Sequence, residues 1–277
     1  MRLASYRTGG ESSFGIVSGT SILDLKRRTG LHSLRELLAN PTPITETGAA
    51  DWAIGDVTFE PVIPNPGKII CVGLNYHEHI VESGRAQPLK PVLFARYPGT
   101  QVGHDQPIVR PAVSAQLDFE GELAVVIGTR GRHIAVENAL RHVAGYACYN
   151  DGSVRDWQVH TAQYLPGKNF LATGAFGPWL VTADEIPDPT TLTLETRLNG
   201  AVMQHATVDL MINPIPELIA YCSTFLPLEP GDVIVTGTPG GVGARRTPPV
   251  WMKPGDVVEV EVSTIGVLRN EIVEEGA

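Results

Sequence analysis

The stretch Gln116–Gly128, QLDFEGELAVVIG, narrows the possible folds more than any other part of the chain. From Leu123 onward it is a run of Ala, Val and Ile, the pattern of a buried strand. Just before that run stand Asp118, Glu120 and Glu122, each two residues from the next. Side chains alternate across a strand, so the three carboxylates share one face, and Leu117, Phe119 and Leu123 share the other. Like charges side by side repel, and burial raises their cost further. A solvated edge face would tolerate the repulsion; a bound divalent cation would remove it. Hard oxygen ligands at this density suit Mg2+, Mn2+ or Ca2+ rather than zinc.

The rest of the chain supplies strands for this one to pair with. KIICVGL, PVLFARY, GPWLVT, LTLETRLNG, DVIVTGT and DVVEVEVSTIG all read as short strands between Pro- and Gly-rich turns. Helical signals are fewer, with AVENALRHV and PIPELIAYCSTF the clearest. The pattern predicts a β-rich α+β fold. Residues 1–64 read as a separate small α/β domain. There RLASYR, FGIVSG and SILDL are strands, SLRELLAN is a short helix capped by Ser33, and FEPVIPNPGK is a linker into a larger domain over 65–277.

Composition limits the partners. The chain has 277 residues, 43% of them hydrophobic, and a formal net charge of −9 without a basic cluster. That argues against nucleic acid or an anionic membrane as partner, although local charge at a site can oppose the net charge. Cys71, Cys148 and Cys222 are widely spaced, with no CxxC pair, and the N-terminus lacks an apolar leader-like run. The expectation is a cytoplasmic protein without a disulfide framework.

Four further segments could carry chemistry. In YNDGSVRDWQ, Asp151 sits at a strand end beside a glycine, a common ligand position and equally a common turn residue. In GLNYHEHIVESG, His79 and Glu82 are three residues apart and meet on one face if the segment is helical. Such a pair is either a general base with its orienting carboxylate or a surface ion pair. In PGKNF, Lys168 follows a glycine, a position that would ordinarily be solvated surface. VIVTGTPGGVG ends a strand in backbone N–H groups and hydroxyls suited to a carboxylate or phosphate, but it is neither a P-loop nor a dinucleotide fingerprint. No GxSxG elbow is present.

The order of these segments is more specific than any one of them. GLNYHEHIVE, DFEGEL, NDGSVRDWQ, GKNF with GPWLVT, and PLEPGDVIVTGTPGGVG, in that sequence, resemble the fumarylacetoacetate hydrolase superfamily over roughly residues 65–275. The resemblance implies a rolled mixed β-sheet barrel, usually dimeric, and Mg2+ or Mn2+ held by Glu120, Glu122 and Asp151. It matches His79 and Glu82 to a pair on a mobile lid, and Gln158, Lys168 and Thr238 to polar substrate contacts. Arg155 falls in a motif whose role is partly structural and partly substrate binding. One departure is Leu171, where many members carry Asp, within LATGAF. This is expected to alter the pocket near the distal end of the substrate.

The implied reaction is hydrolysis of a C–C bond in a 2,4-dioxo acid, an acylpyruvate such as fumarylpyruvate or maleylpyruvate. His79 would activate water and Lys168 would stabilise the oxyanion. The same site could instead decarboxylate an oxaloacetate-type acid, isomerise or hydrate a 2-oxo acid, or bind such an acid without turning it over. Residues 77–90 contain few apolar anchors and are expected to act as a lid. Their backbone amides should exchange more slowly once metal and oxalate or pyruvate are bound. Equal exchange with and without ligand would remove the lid.

Overall fold

The computed structural model describes residues 1–41, 44 and 48–276. Strands β1 (Arg2–Thr8), β2 (Glu11–Ser18) and β3 (Ser21–Asp24) form an antiparallel meander. Helices α1 (Leu25–Thr29) and α2 (Leu34–Ala39) follow, with Ser33 accepting a hydrogen bond from Glu36 N as the N-cap of α2. Next come β4 (Trp52–Ala53), β5 (Thr58–Phe59), β6 (Ile69–Gly73), α3 (His77–Ser83) and β7 (Val92–Arg96). The chain continues through β8 (Gln101–Val102), β9 (Ile108–Arg110), β10 (Leu117–Asp118), β11 (Gly121–Ile127) and β12 (Val143–Asn150). After β13 (Ser153–Val154) come α4 (Arg155–Gln158), α5 (Leu165–Lys168) and β14 (Gly174–Thr182). The last elements are β15 (Thr193–Leu198), β16 (Ala201–Thr207), α6 (Ile215–Phe225), β17 (Val233–Val235), β18 (Val257–Val262) and β19 (Gly266–Glu274).

Two large sheets result. One has the order β4-β3-β2-β1-β14-β12-β11-β17-β6-β7, with β5 on β1 and β8 on β14; the other has the order β16-β15-β18-β19-β9. The acidic strand lies inside the first sheet, antiparallel to β12 on one side and to β17 on the other. This central place explains its composition. Leu123, Val125 and Ile127 enter a core shared with Leu194 and Val260 of the second sheet and with Leu218 and Ile219 of α6. Ala124 and Val126 enter a core on the opposite side, with Leu3, Phe14, Leu34 and Phe176. Gly121, between the two glutamates, lies against the second sheet. A Cβ there would stand 2.0 Å from Thr196 Oγ1.

The structure corrects several expectations. The acidic strand is not continuous: Phe119 N bonds Asp118 Oδ1 and Glu120 N bonds Asn150 Oδ1, so side chains take donors that a ladder would need. As a result β10 pairs with β13 in a small sheet of its own. Among the described residues no closed barrel forms, because end strands β4 and β7 do not pair. Asn169 accepts from Tyr97 N and donates to Ala95 O at β7, engaging backbone groups that a closing strand would require. AVENALRHV is a run of 3-10 turns, not an α-helix. The FEPVIPNPGK linker is packed, with Val62 and Ile63 in the second core. No described helix is long and apolar enough to cross a membrane.

The turn leaving β12 is tightly enclosed. A Cβ on Gly152 would stand 2.0 Å from the Thr173 carbonyl oxygen, a backbone atom with little room to retreat. Gly152→Ala should therefore cost about 1–3 kcal/mol as overpacking does. It should lower the melting temperature by roughly 2–4 °C for each kcal/mol lost. Calorimetric scanning checks it, and an unchanged midpoint would show that the turn relaxes freely.

Candidate active site

The pairing of β11 with β12 assembles the acidic cluster. Gly121 faces Asn150 across the ladder, and one residue on, Asp151 N donates to Glu120 O at 2.8 Å. Carboxylate oxygens of Glu120, Glu122 and Asp151 thereby come within 4.8 Å of one another, and all three residues are buried. Unrelieved, such a cluster would be strongly destabilising.

Three cations, two buried and one half-buried, relieve part of the repulsion. Lys168 Nζ, delivered by α5, lies 2.6 Å from both Glu120 Oε2 and Asp151 Oδ2, and 5.0 Å from the centre of the Phe94 ring. Arg155, at the start of α4, places Nη1 2.6 Å from Glu120 Oε1 and Nε 2.8 Å from Asp118 Oδ2. Arg96, at the end of β7, places Nη1 2.6 Å from Asp151 Oδ1 and 2.9 Å from Gly152 O, while Nη2 donates to Thr173. Burial works to raise the Glu120 carboxyl, but Lys168 and then Arg155 outweigh it and hold the group at about 2. Burial likewise opposes the charge on Lys168, but Asp151 and Glu120 keep the ammonium above its usual range.

Glu122 is different. Its one hydrogen-bond partner is Gly237 N at 2.5 Å, and no cation pairs with it among the described residues. Burial, then Asp151 and Glu120, push its carboxyl well above the usual carboxylate range. A divalent cation shared by Glu122, Glu120 and Asp151 would answer this deficit, and three carboxylate ligands suit a hard ion. The residues present thus fit Mg2+ or Mn2+.

A cavity of about 350 Å³ opens above the cluster. His79 lines it from α3, whose His77–Ser83 helix brings Nδ1 2.7 Å from Glu82 Oε1. The other Glu82 oxygen accepts from Gly241 N at 2.8 Å, tying the helix to the glycine-rich loop after β17. Gln158 and Thr238 also line the cavity. The Thr238 hydroxyl donates to Gly121 O and accepts from Gln204 Nε2, and Gln158 Oε1 accepts from Arg155. Arg155 itself is engaged by carboxylates, so all three act here chiefly on other protein groups. Leu171 is a correction: it is 72% exposed and does not line the cavity. The LATGAF segment instead reaches the site from behind, through Thr173 and Arg96.

Arg96 and Gln204 went unnoticed in the sequence. The first had a signal, an arginine closing the apolar strand PVLFAR. Asp118 was visible, but its function was not. It accepts from Gly243 N and Ala244 N as well as from Arg155, and so holds a distant loop against the cluster.

Glu122→Gln separates the two effects of the cluster's charge. It should raise the melting temperature of the metal-free protein by about 2 °C or more, by relieving repulsion. It should also weaken Mn2+ binding at least about tenfold by removing a ligand. Scanning calorimetry and Mn2+ titration check this, and a change of the same sign in both would refute the arrangement.

The chain can now be set beside known proteins. The model for the fumarylacetoacetate (FAA) hydrolase C-terminal family matches residues 68–273. The oxaloacetate tautomerase FAHD2A, mitochondrial, of Bos taurus is 40% identical over 245 residues, covering 88% of this chain and 76% of that protein. The oxaloacetate tautomerase YisK of Bacillus subtilis (strain 168) is 42% identical over 235 residues, covering 83% and 78%. Among solved structures, the fumarylacetoacetate hydrolase from psychrophilic Exiguobacterium antarcticum superposes with a TM-score of 0.90 at 36% identity, covering 99% of this chain and 100% of that one. The maleylpyruvate hydrolase from Sphingobium sp. SYK-6, in complex with manganese(II) and pyruvate, superposes at 0.81 and 30% identity, covering 99% of each. With the acidic cluster, the β-rich α+β fold and this match over most of its length, the chain belongs to the fumarylacetoacetate hydrolase family.

Proposed function

We propose that this protein is a divalent-metal-dependent 2-oxo acid enzyme whose principal reaction is the keto–enol tautomerisation of oxaloacetate. The observation that carries the reading is that one cavity holds both the Glu120–Glu122 carboxylates and an imidazole, His79, already oriented by a carboxylate. The tautomerase relatives at about 40% identity favour keto–enol chemistry over the C–C hydrolysis that the sequence first suggested.

Glu120, Glu122 and Asp151 would hold Mg2+ or Mn2+. The bound ion would supply Lewis-acid polarisation of a 2-oxo acid. The protein's own groups handle the proton. Glu82 engages His79 Nδ1, which leaves Nε2 as the atom that can take a proton from C3 of the keto acid. As the C3–H bond breaks, its electron pair forms the C2–C3 double bond, and the carbonyl oxygen takes up a proton in exchange. No water is consumed. Glu82 stabilises the imidazolium that forms, and Gly241 N–H keeps Glu82 in place. Lys168 and Arg155 keep Glu120 ionised for its ligand role.

C–C hydrolysis of a 2,4-dioxo acid is the second reading. The same His79–Glu82 pair could deprotonate a water, and the maleylpyruvate hydrolase supports it at 30% identity. Decarboxylation of oxaloacetate would use the same enolate.

The test follows oxaloacetate by its ultraviolet enol absorbance with Mg2+ present. The protein should speed the approach to keto–enol equilibrium. His79→Ala should slow it by roughly 10²–10⁴-fold, the range for losing a general base, with Mn2+ affinity nearly intact. If the protein leaves that rate unchanged, the proposal fails. Pyruvate released from an acylpyruvate would then favour the hydrolase, and CO2 from oxaloacetate the decarboxylase. Ligand binding without turnover would mark a binding protein.

A further inference from the structure

The cavity wall carries charge of its own. Four cationic side chains line it, Arg85, Arg155, Lys168 and Arg245, against the three carboxylates Glu120, Glu122 and Asp156. Counting also Asp151, which Lys168 bonds from the cluster, cations and carboxylates here are equal in number, in a chain whose net charge is −9. Three of the four cations have partners. Arg155 and Lys168 hold the acidic cluster, and Arg85 bonds the Tyr164 hydroxyl and lies 5.3 Å from the centre of its ring. Arg245 has no hydrogen bond or ion pair from its side chain among the described residues.

A lone exposed arginine is usually solvated, so its mounting decides the matter. Arg245 ends a 3-10 turn, Gly243–Arg245, whose first two amides donate to Asp118 at 2.8 and 2.9 Å. Asp118 is itself held by Arg155, which bonds Glu120. Thus a short chain of charged hydrogen bonds runs from a cluster carboxylate to the turn that carries Arg245. The turn has no slack on its other side, since a Cβ on Gly243 would stand 2.0 Å from Val250 O. The neighbouring Arg246 points away and ties the loop, donating to Gly241 O and Met203 O. Two adjacent arginines therefore do different work, one anchoring the loop and one left free at the cavity.

We propose that Arg245 determines specificity: its guanidinium receives the second carboxylate of a dicarboxylic 2-oxo acid whose 2-oxo end lies at the Glu120–Glu122–Asp151 cluster. This rests on the reading of the site as a 2-oxo acid site. A guanidinium fork matches a carboxylate in shape and charge, and the anchored turn that carries it keeps it at the wall of the cavity above the cluster, where it would select for a diacid over a monoacid. The apolar lining from Val242 and Trp251 offers a monoacid no comparable contact.

The test compares oxaloacetate with pyruvate on the Mn2+-loaded protein. Dissociation constants are measured by calorimetry for the unaltered chain, Arg245→Gln and Arg245→Lys. Arg245→Gln should weaken oxaloacetate about tenfold or more, as losing a hydrogen bond to a charged group does, and leave pyruvate within about twofold. Arg245→Lys should recover part of the loss. If oxaloacetate is unaffected, or both acids weaken equally, Arg245 is not the discriminating group and the proposal is overturned. If the unaltered protein binds neither acid, the 2-oxo acid reading itself falls and takes this proposal with it.

Discussion

Holding three carboxylates together out of water is the constraint on which the rest of the site depends. The penalty is not removed by one partner. It is divided among Lys168, Arg155 and Arg96, each delivered by a different element and each placed on a different carboxylate oxygen. Such buried pairs stabilise little in net terms, because desolvation offsets the attraction, but breaking one strands a charge. The arrangement therefore acts more as a specification than as glue: the elements must come to these positions, or the cluster cannot be buried at all. Glu122, left without a cation, is where the balance was kept open.

The fold meets that specification by making β11 the axis of the molecule. Its two faces feed two separate cores, so neither the strand nor its first residues can shift without disturbing both. Pairing with β12 fixes Asp151, and pairing with β17 brings in Gly237 and the loop that reaches Glu82 and Asp118. The site is thus assembled from strand ends on a rigid sheet. Arg155, Lys168 and His79 reach those strand ends from three short helices, α4, α5 and α3.

Much of this was legible in the sequence, for identifiable reasons. The same-face carboxylates and the apolar run after them exposed the central strand, and the three-residue spacing of His79 and Glu82 exposed their contact. What stayed hidden was whatever depends on tertiary pairing. No pattern in DFEGE shows that side chains of Asp118 and Asn150 would take the backbone donors of Phe119 and Glu120 and break the strand. A lysine after a glycine gives no sign that it will be buried among carboxylates. Nor does the polar loop at Gly243 reveal that its amides bind an aspartate more than a hundred residues earlier. Thr238 and Gln158 line the cavity, while their hydrogen-bond partners were not visible from composition or spacing.

The antiparallel contact of β1 with β14 has a consequence for how the chain must be handled as a unit. Backbone hydrogen bonds run from the first strand of the protein into the sheet that carries the acidic strand, and Leu3, Phe14 and Ile16 pack with Tyr149 and Phe176. A fragment trimmed to the span matched by the family model would bare the Leu180–Val181 end of β14, where β1 pairs, and strip the apolar face beside it, while β8 would still cover the Gly174–Ala175 end. Such an edge invites a strand from another molecule. The N-terminal meander thus covers part of an edge of the sheet that carries the acidic strand, and its removal would expose backbone donors and acceptors there without touching the residues of the cluster.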